Sequence, residues 1–200
     1  MLPHPIDTRV GVIVNNVGGY SRGVLRGIAS FASARAWVCR VEGVNEASLM
    51  RHLSDFNGLI VQAATPAQLT RLGAIKIPVV NVSSKLESGQ MPSVVSDDKA
   101  VGRLGAEQFL RRGHRNFVFY APYDRQFAKL RHEGFIQRLA EAGDSAAVIY
   151  DPDRLAKAVQ KMRRPLAVME CNDRAALTVL EICRASHLRV PAEVAFLGVD

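Results

Sequence analysis

Short apolar runs alternate with helical segments along almost the whole chain. The first is Val10-Gly-Val-Ile-Val14, and a Gly-rich turn and a helical pattern from about Ser21 follow it. Seven further apolar runs lie at 37–41, 58–61, 78–82, 117–120, 147–150, 166–169 and 194–199, and Ser93-Val-Val95 is short and extended. Strands joined by crossover helices form parallel sheets with helices on both faces. The sequence therefore predicts an α/β fold whose strands are buried on both sides.

The number of predicted strands favours two lobes. Nine strands are many for one compact sheet in a chain of 200 residues. We predict an N-terminal tail over 1–8, an N-terminal lobe over 9–121 and a partial C-terminal lobe over 122–200, with the crossing near Ala121-Pro122. Each lobe is expected to be Rossmann-like, with a parallel sheet at its centre.

The clearest helical patterns lie in the second half of the chain. They predict helices over about 97–112 and 125–142, stopped by Gly113 and Gly143, and a third helix over 173–187. Shorter helical patterns surround Leu49–Leu53, Leu69–Leu72 and Leu155–Met162.

The basic charge does not by itself indicate nucleic-acid binding. The formal net charge is +7, but Lys and Arg are spread along the chain. Two small clusters, at 111–115 and 161–164, are not interleaved with the aromatic side chains of a base-stacking surface. We therefore interpret the basic residues as solvated surface.

Three cysteines, Cys39, Cys171 and Cys183, occur without CxxC spacing. This pattern is typical of reduced thiols rather than of a disulfide framework or a zinc site. We expect no metal and no cofactor. The N-terminus resembles no secretory signal, and no segment has the length of a membrane span, so we expect a cytoplasmic protein.

Polar residues follow most of the predicted strands. In parallel α/β sheets, ligands bind beyond the carboxyl ends of the strands, where such groups can hydrogen-bond sugar hydroxyls. Asp97 and Asp173 have a second interpretation as helix caps, which the sequence leaves open. The residues at these positions are Asn15, Asn16, Glu42, Gln62, Ser83, Asp97, Asp124, Asp151, Glu170, Asn172 and Asp200.

Several segments resemble the sensor domains of lac-repressor/GalR-type transcription regulators. They are the Asp-helix-Gly-His segment at 96–115, the Arg-x-x-Gly-aromatic motif at 131–135, the Asn-Asp helix start at 167–173 and the Val-Pro to Gly-x-Asp segment at 190–200. The resemblance implies the fold of type I periplasmic binding proteins and a sugar-sensing, non-enzymatic function.

The first half of the chain is similar to the sensor domain of one branch of these regulators, the AraC-class xylose-operon regulators. The similarity lies in Asn15 through Gly27, with Tyr20-Ser-Arg22 and Arg26-Gly27. Those regulators carry their DNA-binding units after the sensor domain. Because the first strand begins at about Arg9, we expect no upstream DNA-binding domain, and the stop at Asp200 predicts a truncated second lobe. DNA binding is therefore expected of a longer parent.

The resemblance also implies effector contacts. Arg131, Asn172 and Asp200 would contact the effector from the second lobe, and Tyr20, Arg22 and Asp97 from the first. The effector, a pentose or other sugar, is expected to close the two lobes of each subunit in a homodimer and so reorient attached DNA-binding units.

One of these positions, Arg131, has a local alternative, and the neighbour of Asp97 has an interpretation of its own. For Arg131 the alternative is a surface ion pair with Glu133 or Asp124. For Asp98 we expect a solvated first-turn carboxylate favoured by the helix dipole.

Two enzyme classes remain as alternatives. Gly19-Tyr-Ser-Arg-Gly23 matches the G-x-S-x-G elbow of α/β hydrolases, with Asp97 and His114 or His132 available for a triad. Ser21, however, does not directly follow its strand. A dinucleotide-binding enzyme would use the first Gly-rich turn and Glu42, but the glycines do not follow G-x-G-x-x-G. We therefore expect no catalytic residues.

Overall fold

The protein folds into two compact units, residues 1–95 and 96–200. The computed structural model describes residues 8–199 except 16, 43–46, 48 and 49. Asn16, Leu49 and Asp200, which the sequence analysis singled out, lie outside the described residues. Each unit contains a four-stranded parallel sheet. The predicted α/β fold with parallel sheets is thus confirmed.

The first unit has the strand order β2-β1-β3-β4. Its strands are β1 (Arg9–Ile13), β2 (Val38–Val41), β3 (Gly58–Val61) and β4 (Val79–Asn81). Its helices are α1 (Gly19–Ala34) and α2 (Pro66–Gly73), and a 3-10 turn spans Leu53–Asp55.

Apolar clusters cover both faces of the first sheet, as expected for parallel strands. One cluster groups Val10 and Val12 with Leu25 and Ile28 of α1. The other groups Ile13 and neighbouring side chains with Leu72 of α2. The alternation of side chains along β1 separates the two clusters. The edge strand β2 is less covered, and Val38 and Val41 are exposed.

The second unit repeats this topology with the order β6-β5-β7-β8. Its strands are β5 (Asn116–Tyr120), β6 (Ala146–Ile149), β7 (Leu166–Glu170) and β8 (Val194–Leu197). Its helices are α3 (Asp98–Arg111), α4 (Gln126–Glu141), α5 (Pro152–Lys161) and α6 (Asp173–Ala185). One continuous core fills this unit, with Phe117, Phe119 and Phe135 fully buried.

The division between the units differs from the predicted crossing at 121/122. Strand β5 pairs with β6 and β7 of the second sheet, so α3 and β5 belong to the second unit. The sequence placed them in the first lobe because it cannot show which sheet a strand joins. Asp97, at the start of α3, therefore also belongs to the second unit.

Most predicted elements are present, and one predicted strand is not. Residues 93–95 form no strand: Ser93 makes a single bridge to Asn81, and Val94 and Val95 are exposed. Gly113 and Gly143 follow the ends of α3 and α4 with φ of 80° and 77°, as predicted for helix stops. Within the described residues, none of the helices combines the length and apolar character that crossing a bilayer requires.

Helices α3 and α4 touch backbone to backbone through two glycines. A Cβ added to Gly102 would overlap the carbonyl oxygen of Arg131 and lie 2.9 Å from the nitrogen of Phe135. A Cβ added to Gly134 would overlap the carbonyl oxygen of Lys99. We call this contact the α3–α4 crossing. It allows a side chain at the start of α3 to reach the second turn of α4.

Candidate functional site

The guanidinium of Arg131 is fixed at the carboxyl end of β7. Its Nε and Nη2 lie 2.8 and 2.7 Å from Oδ1 of Asp98, and its Nη1 donates to the carbonyl oxygen of Cys171 at 2.6 Å. The ring of Phe127 lies 5.1 Å from the guanidinium carbon, within cation–π range. These contacts use three of the five N–H groups of an arginine. Among the described residues, the other two N–H groups have no hydrogen-bond partner, so they can bind a ligand.

This arrangement corrects one expectation, on Asp98, and rules out one alternative, on Arg131. Asp98 is not a solvated first-turn carboxylate, since its side chain is 0% exposed and its pair with Arg131 is internal. Arg131 does not pair with Glu133 or Asp124. Asp124 instead lies 2.9 Å from the ammonium of Lys129. Local spacing suggested these neighbours, but the α3–α4 crossing supplies a carboxylate 33 positions away in the sequence.

Asn172 and Asp97 are both helix caps. The Oδ1 of Asn172 accepts the Ala175 N–H at 2.9 Å at the start of α6. The Oδ1 of Asp97 accepts the Ala100 N–H at 2.9 Å at the start of α3. The cap interpretation that the sequence left open is therefore correct at Asp97. A cap uses one oxygen, so the amide nitrogen of Asn172 keeps its donors for a ligand.

The second unit thus brings some of the predicted contact residues together. Arg131 bonds the carbonyl of Cys171, the residue directly before Asn172, so their side chains belong to one edge of the sheet. Asp97 directly precedes Asp98, the partner of Arg131. Tyr20 and Arg22 lie in the first unit, and Asp200 lies outside the described residues.

Tyr20 and Arg22 lie in the first turn of α1. The hydroxyl of Tyr20 donates to the carbonyl oxygen of Val82 at 2.9 Å, which ties the start of α1 to the loop after β4. Arg22 is exposed. The structure therefore gives Tyr20 a positioning contact at the carboxyl edge of the first sheet.

Asn81 organises that edge, and the sequence analysis did not single it out. Its side chain is buried, its Oδ1 accepts the N–H groups of Ala63 and Ser83, and its Nδ2 donates to the Ser83 carbonyl and the Ser88 hydroxyl. One amide thereby joins the ends of β3 and β4 to the following loop. The sequence did contain a signal for the role of Asn81, because an asparagine is the last residue of an otherwise apolar strand.

A groove of about 370 Å³ opens beside the second sheet, after β5 and β6. Tyr123, His132 and Tyr150 line it, together with the Asp124–Lys129 pair. Burial lowers the pKa of His132, so its imidazole is neutral near pH 7. Arg131 and Asn172 are not among its lining residues.

The contacts of Ser21 do not match those of a hydrolase nucleophile. Ser21 is buried inside α1, and its hydroxyl pairs with the Gln62 amide at 3.1–3.3 Å. An amide is not a general base, so this contact does not activate the hydroxyl. Glu42, the residue considered for ribose binding, is paired with the Nε of Arg40. No group of three or more potential metal ligands occurs among the described residues.

Glu170 ends β7 as a fully buried carboxyl group. Neither of its oxygens has a hydrogen bond of ordinary geometry within the part of the chain that the structure describes. Burial raises the pKa of Glu170 well above the usual 4.5, and the nearby charge of Asp173 adds to the effect. The backbone amide of Leu197 opposes the increase in this pKa without cancelling it. Burial therefore favours the protonated, neutral form of Glu170.

We expect Glu170→Gln to make stability less dependent on pH. Because the pKa of Glu170 is raised on folding, the native state binds more protons than the unfolded state above about pH 4.5. The free energy of unfolding of the wild type therefore falls as the pH rises, and the variant lacks this loss. Urea unfolding from about pH 5 to about pH 8 should show a growing advantage of the variant. A constant difference would contradict the neutral state of Glu170.

The comparisons with known proteins agree with this architecture. Residues 106–200 match the family model of the periplasmic binding protein-like domain. The arabinose metabolism transcriptional repressor of Geobacillus stearothermophilus is 26% identical over 165 residues, which are 72% of this chain and 45% of that protein. The HTH-type transcriptional regulator CelR of Thermobifida fusca is 31% identical over 122 residues, 56% of this chain and 36% of that protein.

Among solved structures, the xylose-binding transcription activator xylR superimposes with a TM-score of 0.82 at 19% identity, covering 96% of this chain and 54% of that one. The chain spans less than half the length of the two curated relatives. The fold matches that of a type I periplasmic-binding-protein-like domain. The curated relatives are transcription regulators, and the comparisons do not support narrowing the resemblance to the AraC class.

Proposed function

We propose that this chain is the sugar-sensing domain of a transcription regulator. The observation that carries the proposal is Arg131, which is held by Asp98 and the Cys171 carbonyl at the carboxyl end of β7, with two N–H groups left over. A planar guanidinium can donate to a ring oxygen and a hydroxyl together. Asn172 offers its amide at the same edge of the sheet, where ligands of α/β folds bind.

The names of similar proteins support a sugar as the effector class. The curated relative from Geobacillus stearothermophilus is a repressor of arabinose metabolism, and one structural neighbour is a xylose-binding activator. We therefore propose a pentose or related sugar for this chain. The contacts from Tyr20, Arg22, Asp97 and Asp200 are part of the same proposal.

The parent protein is proposed to be a homodimer that binds DNA through an attached domain. Effector binding would close the two lobes and bias the orientation of the attached DNA-binding units. The AraC-class branch is a further proposal, supported by Tyr20-Ser-Arg22 and Arg26-Gly27. Finding two helix-turn-helix units after this domain in the parent would support that branch, and finding one before it would contradict it.

Binding of a sugar is expected to raise the melting temperature and to depend on Arg131. A thermal-shift screen of pentoses and hexoses, followed by calorimetry, should identify the effector. Arg131→Lys keeps the charge but loses the planar fork, and one lost charge-assisted hydrogen bond corresponds to roughly 10- to 100-fold weaker binding.

The matched control for this experiment is Arg138→Lys. Arg138 lies seven residues further along α4 and also pairs with a carboxylate of α3, Glu107, at 2.7 Å. It has no contact with the Arg131 site, so affinity should be unchanged. Equal effects of the two variants would contradict the assignment of Arg131, and the absence of any binding sugar would contradict the proposed function.

A further inference from the structure

The positive charge of Arg131 is balanced inside the second unit. The side chain of Asp98 is 0% exposed and that of Arg131 is 11% exposed. Asp98 also lies in the first turn of α3, where the positive end of the helix dipole stabilises an anion. The pair is therefore ionic, internal and electrically neutral as a whole.

The other groups around the guanidinium are also electron-rich. Its Nη1 bonds the carbonyl oxygen of Cys171, and the ring of Phe127 packs against it. The exposed carboxylates of Asp97, the N-cap of α3, and Asp173, the first residue of α6, have the exposed cations Lys99 and Arg174 beside them and leave this balance unchanged. A ligand that approaches the two remaining N–H groups thus meets hydrogen-bond donors without an excess positive charge.

This balance discriminates between two classes of sugar. A neutral polyol needs donors and acceptors of hydrogen bonds, which the site supplies. A sugar phosphate or a sugar acid needs, in addition, an uncompensated cation to offset its lost hydration. At Arg131 that cation is already paired with Asp98.

We propose that Asp98 is a specificity-determining residue: by neutralising Arg131 it selects a neutral polyhydroxylated effector over the phosphate or acid of the same sugar. This inference rests on the proposed sugar-sensing function. Asp98 acts as a positioning residue through Arg131, since its own side chain is 0% exposed and is not accessible to a ligand.

The test compares each neutral sugar with its own anions. D-xylose, L-arabinose and D-ribose are titrated by calorimetry alongside their 5-phosphates and aldonic acids. The salt concentration is about 0.15 M, where the Debye length of about 8 Å screens the net positive charge of the chain. We expect the wild type to bind a neutral sugar roughly 10-fold or more tightly than either anion, which is the scale of one unfavourable charge interaction.

Asp98→Asn is the variant that isolates the charge. It keeps an oxygen that accepts from Arg131 and leaves the guanidinium without a counterion. We expect the ratio of affinities to move toward the anions by about 10-fold. A purely structural loss would weaken both classes alike and leave the ratio unchanged. The control is Glu107→Gln, which removes the carboxylate that pairs with Arg138 in the second α3–α4 ion pair.

The outcomes separate the inference from the function on which it rests. Tighter binding of a sugar phosphate or acid by the wild type overturns the inference but leaves sugar sensing intact. An unchanged ratio in Asp98→Asn also overturns it. If this variant fails to fold, the comparison of neutral and anionic sugars on the wild type decides the question. Binding of none of these compounds contradicts the proposed function and the inference with it.

Discussion

Replacing Gly102 by alanine is expected to destabilise the second unit severely. The added methyl group would overlap the carbonyl oxygen of Arg131 on the neighbouring helix. Backbone atoms cannot move aside by changing rotamer, so α3 and α4 would have to separate and open the core beneath them. Overpacking usually costs 1–3 kcal/mol, and we expect about 3 kcal/mol or more here. Urea unfolding followed by circular dichroism measures the loss.

The same helix–helix contact predicts the behaviour of a second glycine. Gly134→Ala would overlap the carbonyl oxygen of Lys99 and should be as damaging as Gly102→Ala. Because the two substitutions separate the same pair of helices, their effects should not add. The double variant is therefore expected to be less destabilised than the sum of the two single variants.

Helix α1 provides the matched control. Gly23 and Gly27 are helical glycines, and a Cβ added to either would meet nothing within 4 Å. Alanine there should raise stability by about 0.5–1 kcal/mol through helix propensity alone. If Gly102→Ala were tolerated as well as Gly27→Ala, the result would contradict the close backbone contact between α3 and α4 at Gly102.

The second large effect is expected at Arg131. Arg131→Ala would leave the fully buried carboxylate of Asp98 without its partner. Removing one member of a buried ion pair typically costs about 3–5 kcal/mol, because the remaining charge is desolvated and uncompensated. We expect a loss of that size in the free energy of unfolding, measured by urea denaturation at neutral pH.

A pair between the same two helices serves as control. Arg103 of α3 and Glu141 of α4 are joined by two hydrogen bonds of 2.7 and 2.9 Å, but both side chains are well exposed. Since water solvates the remaining partner, Arg103→Ala should change stability little. Equal losses of stability for Arg103→Ala and Arg131→Ala would show that the burial of Asp98 does not determine how much its ion pair contributes to the free energy of unfolding.

A double-mutant cycle completes this prediction. Asp98→Ala combined with Arg131→Met removes both charges and keeps part of the volume of the arginine. An apolar replacement of a whole buried pair is often close to neutral. The double variant should therefore be more stable than Arg131→Met alone, and the cycle built with the single variants Asp98→Ala and Arg131→Met should give a coupling energy of about 1–3 kcal/mol. Additive losses would contradict a direct ion pair.

Both predictions concern residues in the two segments that resemble known sensor domains. In the Arg-x-x-Gly-aromatic motif, Arg131 holds the site, Gly134 permits the close contact of the helices and Phe135 fills the core. In the segment that starts α3, Asp98 pairs with the arginine and Gly102 supplies the reciprocal contact. In this chain, the residues of the two motifs therefore pack α3 against α4 and hold the guanidinium of Arg131 in place.

The sequence by itself determined the fold class and most of the elements. Strands buried on both faces are continuous apolar runs, and helix ends carry local signals such as Gly113 and Asp97, so each can be recognised from a few neighbouring residues. The short extended segment at 93–95, counted among the predicted strands, makes only a single bridge, because two valines after a serine carry too little local information to define a strand.

The tertiary structure alone decided which sheet β5 joins, that Asp98 is buried against Arg131, and that the carboxyl of Glu170 is fully enclosed. Each of these depends on residues that are distant in the sequence and brought together by packing. The environment of a charged side chain is set by the atoms that surround it after folding, and its position along the chain does not specify them.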